Sequence, residues 1–168
     1  MKRNGYIRYT VLSVCMLLSF IIASIPRLLP DFFDCYPVVL IPFIAAIALF
    51  EKEIAAGYFG LFAGMLLDLY SVNGGIFSTV TLCILAFLAG LIARHFFVEN
   101  FYSALAVTTA IAFLHQTVYW MVYYLFRGKD GIFFAYYRQI LPTVLYTVVF
   151  IVIFYPLVKW ICIKHQQD

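Results

Sequence analysis

Long apolar runs alternate with short polar interruptions, and their lengths set the first structural expectation. The first run extends over about 9–25 and stops at Pro26, whose fixed φ and missing amide hydrogen discourage a continuing helix. A second covers about 36–50, and the charged triplet Glu51, Lys52 and Glu53 separates it from a third over about 54–70. That separation is too short for a long loop, so helices two and three should form a tight antiparallel hairpin. Ser71, Val72, Asn73, Gly74 and Gly75 carry strong stop signals before a fourth run over about 76–93. Arg94, His95, Glu99 and Asn100 precede a fifth over about 101–126, and a polar loop at 127–131 with aromatics through Arg138 precedes a sixth over about 140–161. Arg27, Pro30, Asp31 and Asp34 mark an interfacial loop after the first run, and Pro42 should kink helix two. Crossing the hydrocarbon takes roughly 20 apolar residues as helix. The pattern therefore predicts an all-α, polytopic membrane protein: one integral domain over 1–168, a bundle of six transmembrane helices.

Composition narrows the function classes. Of 168 residues, 65% are hydrophobic and 11% charged, and the mean hydropathy is +1.00. Six crossings consume roughly 120 positions, which leaves no soluble catalytic domain. The net charge of +3 arises from scattered Lys and Arg without the basic, aromatic-interleaved stripe that grips nucleic acid, so no nucleic-acid partner is expected. Cys15, Cys35, Cys83 and Cys162 lack metal-ligand spacing and read as small membrane hydrophobes. Lys2, Arg3 and Arg8 before the first run resemble the start of a signal peptide, but five further runs favour retention as helix one. A cytoplasmic N-terminus places seven basic residues inside (Lys2, Arg3, Arg8, Lys52, Arg94, Lys159, Lys164) against four outside (Arg27, Arg127, Lys129, Arg138). Both termini should then face the cytoplasm.

Helix three holds the densest constellation of candidate residues. At 100° per residue, Glu53, Gly57, Gly60, Gly64 and Asp68 fall within an arc of about 80°, a glycine face with a carboxylate near each end. Gly60 and Gly64 make a GxxxG pair, the spacing that lets membrane helices approach closely. The face serves helix packing within the bundle or the binding of a partner helix. An ionised carboxylate in an apolar helix is costly, so Asp68 should meet a donor, either the backbone amides of the Ser71 to Gly75 turn or a polar group from another helix. It reads as an anchor, since no second ionisable group of helix three is placed to form a dyad with it. On helix five, His115 and Gln116 lie near the middle, with Thr108 and Thr109 two turns earlier and Tyr119 one turn later. They read as a buried polar contact between helices rather than a proton relay or metal site.

The aromatics from Tyr119 to Tyr137 suit a belt at headgroup level. Ser19 and Ala23 give helix one a second small-residue pair able to dock another chain. Phosphate-cradling loops, the GxSxG elbow and paired carboxylates are missing from the sequence. The expectation is a non-enzymatic protein with no catalytic, cofactor or metal site.

The segment from Glu51 to Gly90 resembles the rod shape-determining protein MreD family. In that family a glycine-studded helix ends in Asp-Leu before a small-residue turn and another apolar helix. Here the pattern reads Gly57, Gly60, Gly64, Leu67, Asp68, Leu69, then Ser71, Gly74 and Gly75, with Leu82, Leu88 and Ala89 beyond. Pro30 and Asp31 also look like the family, and beyond helix four the similarity rests on hydropathy. The resemblance implies a bacterial plasma-membrane protein of the cell-wall elongation machinery, pairing with an MreC-like bitopic protein. Through that pairing it would link MreB filaments to peptidoglycan-synthesising enzymes and help regulate cell shape. It also implies a bundle similar to the substrate-binding subunits of energy-coupling-factor transporters, while fold alone does not carry function. The alternative function is a small-molecule, vitamin-like binding subunit of a membrane transporter, and a homo-oligomer remains open.

Overall fold

The computed structural model describes residues 2–25, 38–70, 75–96, 100–125 and 132–164. The expected loops at 26–37, 71–74 and 126–131, together with Cys35, lie outside the described residues. Those described fold into helices, with no strand among them: α1 (Lys2–Ser24), α2 (Leu40–Phe50), α3 (Glu53–Tyr70), α4 (Phe77–Phe96), α5 (Phe101–Trp120), α6 (Ile132–Val149) and α7 (Ile151–Lys164). A π-helical turn, Met121–Leu125, continues α5.

Among the described residues two stretches, Ile7–Ser24 and Phe101–Tyr123, are long and apolar enough to cross a membrane, and Ile140–Val149 with Ile151–Cys162 makes a third if that bent pair is one span. Leu40–Phe50 and Phe77–Ala93 are shorter apolar helices. The chain is thus a helical protein with the spans of a membrane protein, and six full crossings go further than these two or three.

Hydroxyls inside the apolar helices are satisfied locally, as a lipid environment demands. Ser19 donates to the Cys15 carbonyl, Ser24 to Phe20, Thr108 to Ala104 and Thr109 to Leu105, at 2.7 to 2.8 Å.

The short helix α2 is the centre of the fold. It touches every other helix, and Leu40 to Ala48 are all buried, which explains a segment apolar on every face. Pro42 does not kink it. The proline stands third in the helix, within the first turn, where an amide hydrogen would have no intrahelical partner. The carbonyl four residues earlier, that of Val38, accepts the Ile41 amide at 3.0 Å instead. The Val38 amide is taken by the Thr147 hydroxyl of α6 at 3.1 Å.

The sixth run, expected as one helix over 140–161, is broken. α6 and α7 meet at Phe150 with a bend of 40°. At the junction the Phe150 amide reaches the Thr147 carbonyl and the Ile153 amide the Phe150 carbonyl, three-residue bonds that tighten the turn. Pro142 and Pro156 flank the break, and each removes one bond from the ladder of its own helix.

Candidate functional site

α3 and α4 form the most closely packed pair in the bundle. Contacts run Gly57 to Phe87, Gly60 to Ala86 and Leu82, Gly64 to Thr79 and Ser78, so one residue number rises as the other falls and the helices are antiparallel. A Cβ on Gly60 would stand 2.6 Å from the Leu82 carbonyl oxygen, and one on Gly64 would stand 2.5 Å from that of Ser78. Backbone meets backbone at these two positions. Gly57 is looser, with its nearest neighbour at 3.5 Å, while on the opposite helix Gly90 admits the Glu53 backbone. The glycine face of α3 is therefore occupied by α4 of the same chain.

Asp68 completes this contact. Its Oδ1 accepts the Ser78 amide at 3.0 Å, and its Oδ2 accepts the Thr79 amide at 2.8 Å and the Thr79 hydroxyl at 2.7 Å. Ser78 and Thr79 are the second and third residues of α4, whose amides an N-cap side chain ordinarily binds. Here a carboxylate from the preceding helix takes that role. Its negative charge also faces the positive end of the α4 dipole. Of the two donor sources the sequence suggested, the described donors match a polar group from another helix, the Thr79 hydroxyl with two α4 amides, and lie beyond the Ser71 to Gly75 turn.

His115 lies near the same end of α4. Its ring is buried and packs 6.1 Å from that of Phe77, the first residue of α4. Neither ring nitrogen has a hydrogen-bond partner among the described residues. Phe77 in turn contacts Tyr119 and Tyr123, which stack on each other at 4.5 Å where α5 passes into its π turn. Gln116 is half-buried, next to His115 on α5. The helix-three group is thus one continuous surface, and the helix-five pair adjoins its Asp68 end.

A second polar centre was not legible from the sequence. Arg8 of α1 makes an ion pair with Glu51, between α2 and α3: its Nη2 donates to Oε2 at 2.9 Å, and its Nε stands 2.8 Å from Oε1 as a charge contact without hydrogen-bond geometry. The Tyr9 hydroxyl reaches Oε2 at 3.4 Å, and the Cys162 thiol of α7 approaches Oε1 at 3.7 Å. The Glu51 side chain is only 2% exposed. Burial pushes its carboxyl above the ordinary glutamate value, against the opposing pull of Arg8, Cys162 and Tyr9. The one available signal was topological, since the charge count puts Arg8 and the 51–53 triplet on the same side of the membrane.

Among the described residues no three His, Cys, Asp or Glu side chains gather as a metal site, and Cys15, Cys83 and Cys162 are free thiols. No family model, curated protein or solved structure matches the chain.

Proposed function

We propose that this chain is a multi-pass bacterial plasma-membrane scaffold of the MreD kind, with both termini cytoplasmic and six membrane passages. In this reading α1, α3, α4 and α5 each supply one passage, the apolar run over about 36–50 that contains α2 another, and the bent α6–α7 pair the sixth. The protein holds an MreC-like bitopic partner and so helps connect MreB filaments to wall-synthesising enzymes. The observation that carries the proposal is the α3–α4 unit. Gly57, Gly60, Gly64 and Asp68, four of the residues on which the family resemblance rests, bind those two helices into one element. A rigid hairpin of this sort suits a docking platform.

A transporter's binding subunit would need an enclosed pocket with converging polar groups. Asp68, Glu51 and Arg8 are instead spent on holding helices to one another, which favours the scaffold. The test is complementation: expression in a rod-shaped bacterium depleted of its own MreD should restore rods, and an MreC-like protein should co-purify. Stable expression in the membrane with neither rod recovery nor that partner refutes the proposal. Separately, a reporter fused after Asp168 should be active on the cytoplasmic side, and activity outside contradicts the six passages.

A further inference from the structure

A groove of about 490 Å3 lies between α1 and α3. Tyr9 and Ser13 form one wall, Ile54, Ala55, Tyr58, Phe59 and Phe62 the other, and the exposed Lys52 stands at the end nearest the Arg8–Glu51 pair. At 100° per residue the five α3 positions occupy an arc of about 140° on the side of the helix away from the glycine face. Glu53, whose backbone meets Gly90 of α4, belongs to that other side.

We propose that this groove binds one anionic phospholipid of the surrounding bilayer, its phosphate at Lys52 and an acyl chain along Phe59 and Phe62. Three features select that occupant. Lys52 makes no ion pair among the described residues, and its neighbour Glu51 is already neutralised by Arg8, so a positive charge stands uncompensated at the groove's end. Deeper in, the groove makes little polar demand, because the Ser13 hydroxyl donates to the Tyr9 carbonyl at 2.9 Å. Finally, the path along α3 from Lys52 to Phe62 measures about 15 Å, the depth of one leaflet in a hydrocarbon core of about 30 Å. A second copy of the chain would fill the groove with a helix but leave the lysine uncompensated. The inference rests on the membrane reading alone and is independent of the scaffold role.

Native mass spectrometry of the full chain in mild detergent tests it, with phosphatidylglycerol and phosphatidylcholine of identical acyl chains as probes. The intact protein should retain phosphatidylglycerol about five-fold over phosphatidylcholine, the advantage of one lysine near an anionic headgroup. Lys52→Gln should bring the ratio close to one, Lys52→Arg should preserve it, and Ala55→Phe should reduce retention of both lipids. Lys159→Gln, which removes the cation near the Tyr155 ring of α7, should leave the ratio unchanged. Equal retention by the intact protein, a ratio unaffected by Lys52→Gln, or a lipid-free dimer would each overturn the proposal. Carbonate extraction reads membrane location separately, so that reading can stand or fall by itself.

Discussion

Gly64→Ala is the smallest change that strains the α3–α4 contact at its tightest point. The new methyl group would stand 2.5 Å from the Ser78 carbonyl oxygen and 2.7 Å from the Thr79 nitrogen. These are backbone atoms, as is the Thr79 Cα that lies nearer still, with no flexible side chain to swing aside, so α4 must retreat by about 1 Å to reach an ordinary contact of 3.4 Å. The same residues carry the Asp68 hydrogen bonds of 2.7 to 3.0 Å, and a retreat of that size along the bonds would take them past 3.5 Å. Overpacking costs about 1 to 3 kcal/mol, and weakening a hydrogen bond to a charged group adds about 1.5 to 3. Alanine's better helix propensity returns up to about 1 kcal/mol. A net loss of about 1.5 to 5 kcal/mol is expected. Gly57→Ala enjoys the same propensity gain but meets Phe87 at 3.5 Å, so it should be neutral or slightly stabilising. Unfolding of the purified chain in detergent, followed by circular dichroism, measures both variants. Equal stability of the two refutes the backbone contact, and additive losses in a Gly64→Ala, Asp68→Asn double variant refute its coupling to Asp68.

Asp68→Asn keeps one acceptor for the amides of Ser78 and Thr79, so it should cost less stability than Asp68→Leu, which strands donors at about 1 to 3 kcal/mol; the reverse order in thermal melts contradicts the anchor role. Removing one partner of the Arg8–Glu51 pair should cost about 3 to 5 kcal/mol, while Arg8→Met with Glu51→Leu should recover most of that loss, and a double variant as weak as either single one speaks against a buried pair. Because the Glu51 carboxyl holds its proton more tightly when folded, its contribution is fully present below the ordinary value of 4.5 and lost as pH rises through the higher folded value. Melting temperatures of the intact chain should fall across that window relative to Glu51→Gln, and parallel pH profiles would show that Glu51 does not titrate there.

The face of α3 was legible because helical periodicity brings Glu53, Gly57, Gly60, Gly64 and Asp68 to one side whatever the tertiary structure. What covers it was not, since glycine spacing specifies close approach without naming the partner. Arg8 and Glu51 are 43 residues apart, and no local rule connects them. The break at Phe150 carries no breaker residue of its own, as the flanking prolines lie eight residues before it and six after it. Pro42 misled for a different reason. A proline in an apolar run suggests a kink only if the helix begins well before it, and α2 begins two residues before it.

That late start of α2 bears on how the chain enters a bilayer. Eleven residues of α-helix measure about 16 Å, roughly half of a 30 Å hydrocarbon core. Such a segment is a poor candidate for independent insertion, because its unpaired terminal amides and carbonyls would be left at hydrocarbon depth. At its start the chain finds a partner only in a segment made later, the Val38 amide on the Thr147 hydroxyl, whereas Glu51 at its end already has Arg8 of α1. Assembly therefore runs against the order of synthesis: the second helix of the chain reaches its final surroundings only after α6 and α7 have been delivered. Until then, α2 is a passenger of its neighbours, and a ribosome stalled before residue 147 would leave the centre of the bundle unfinished.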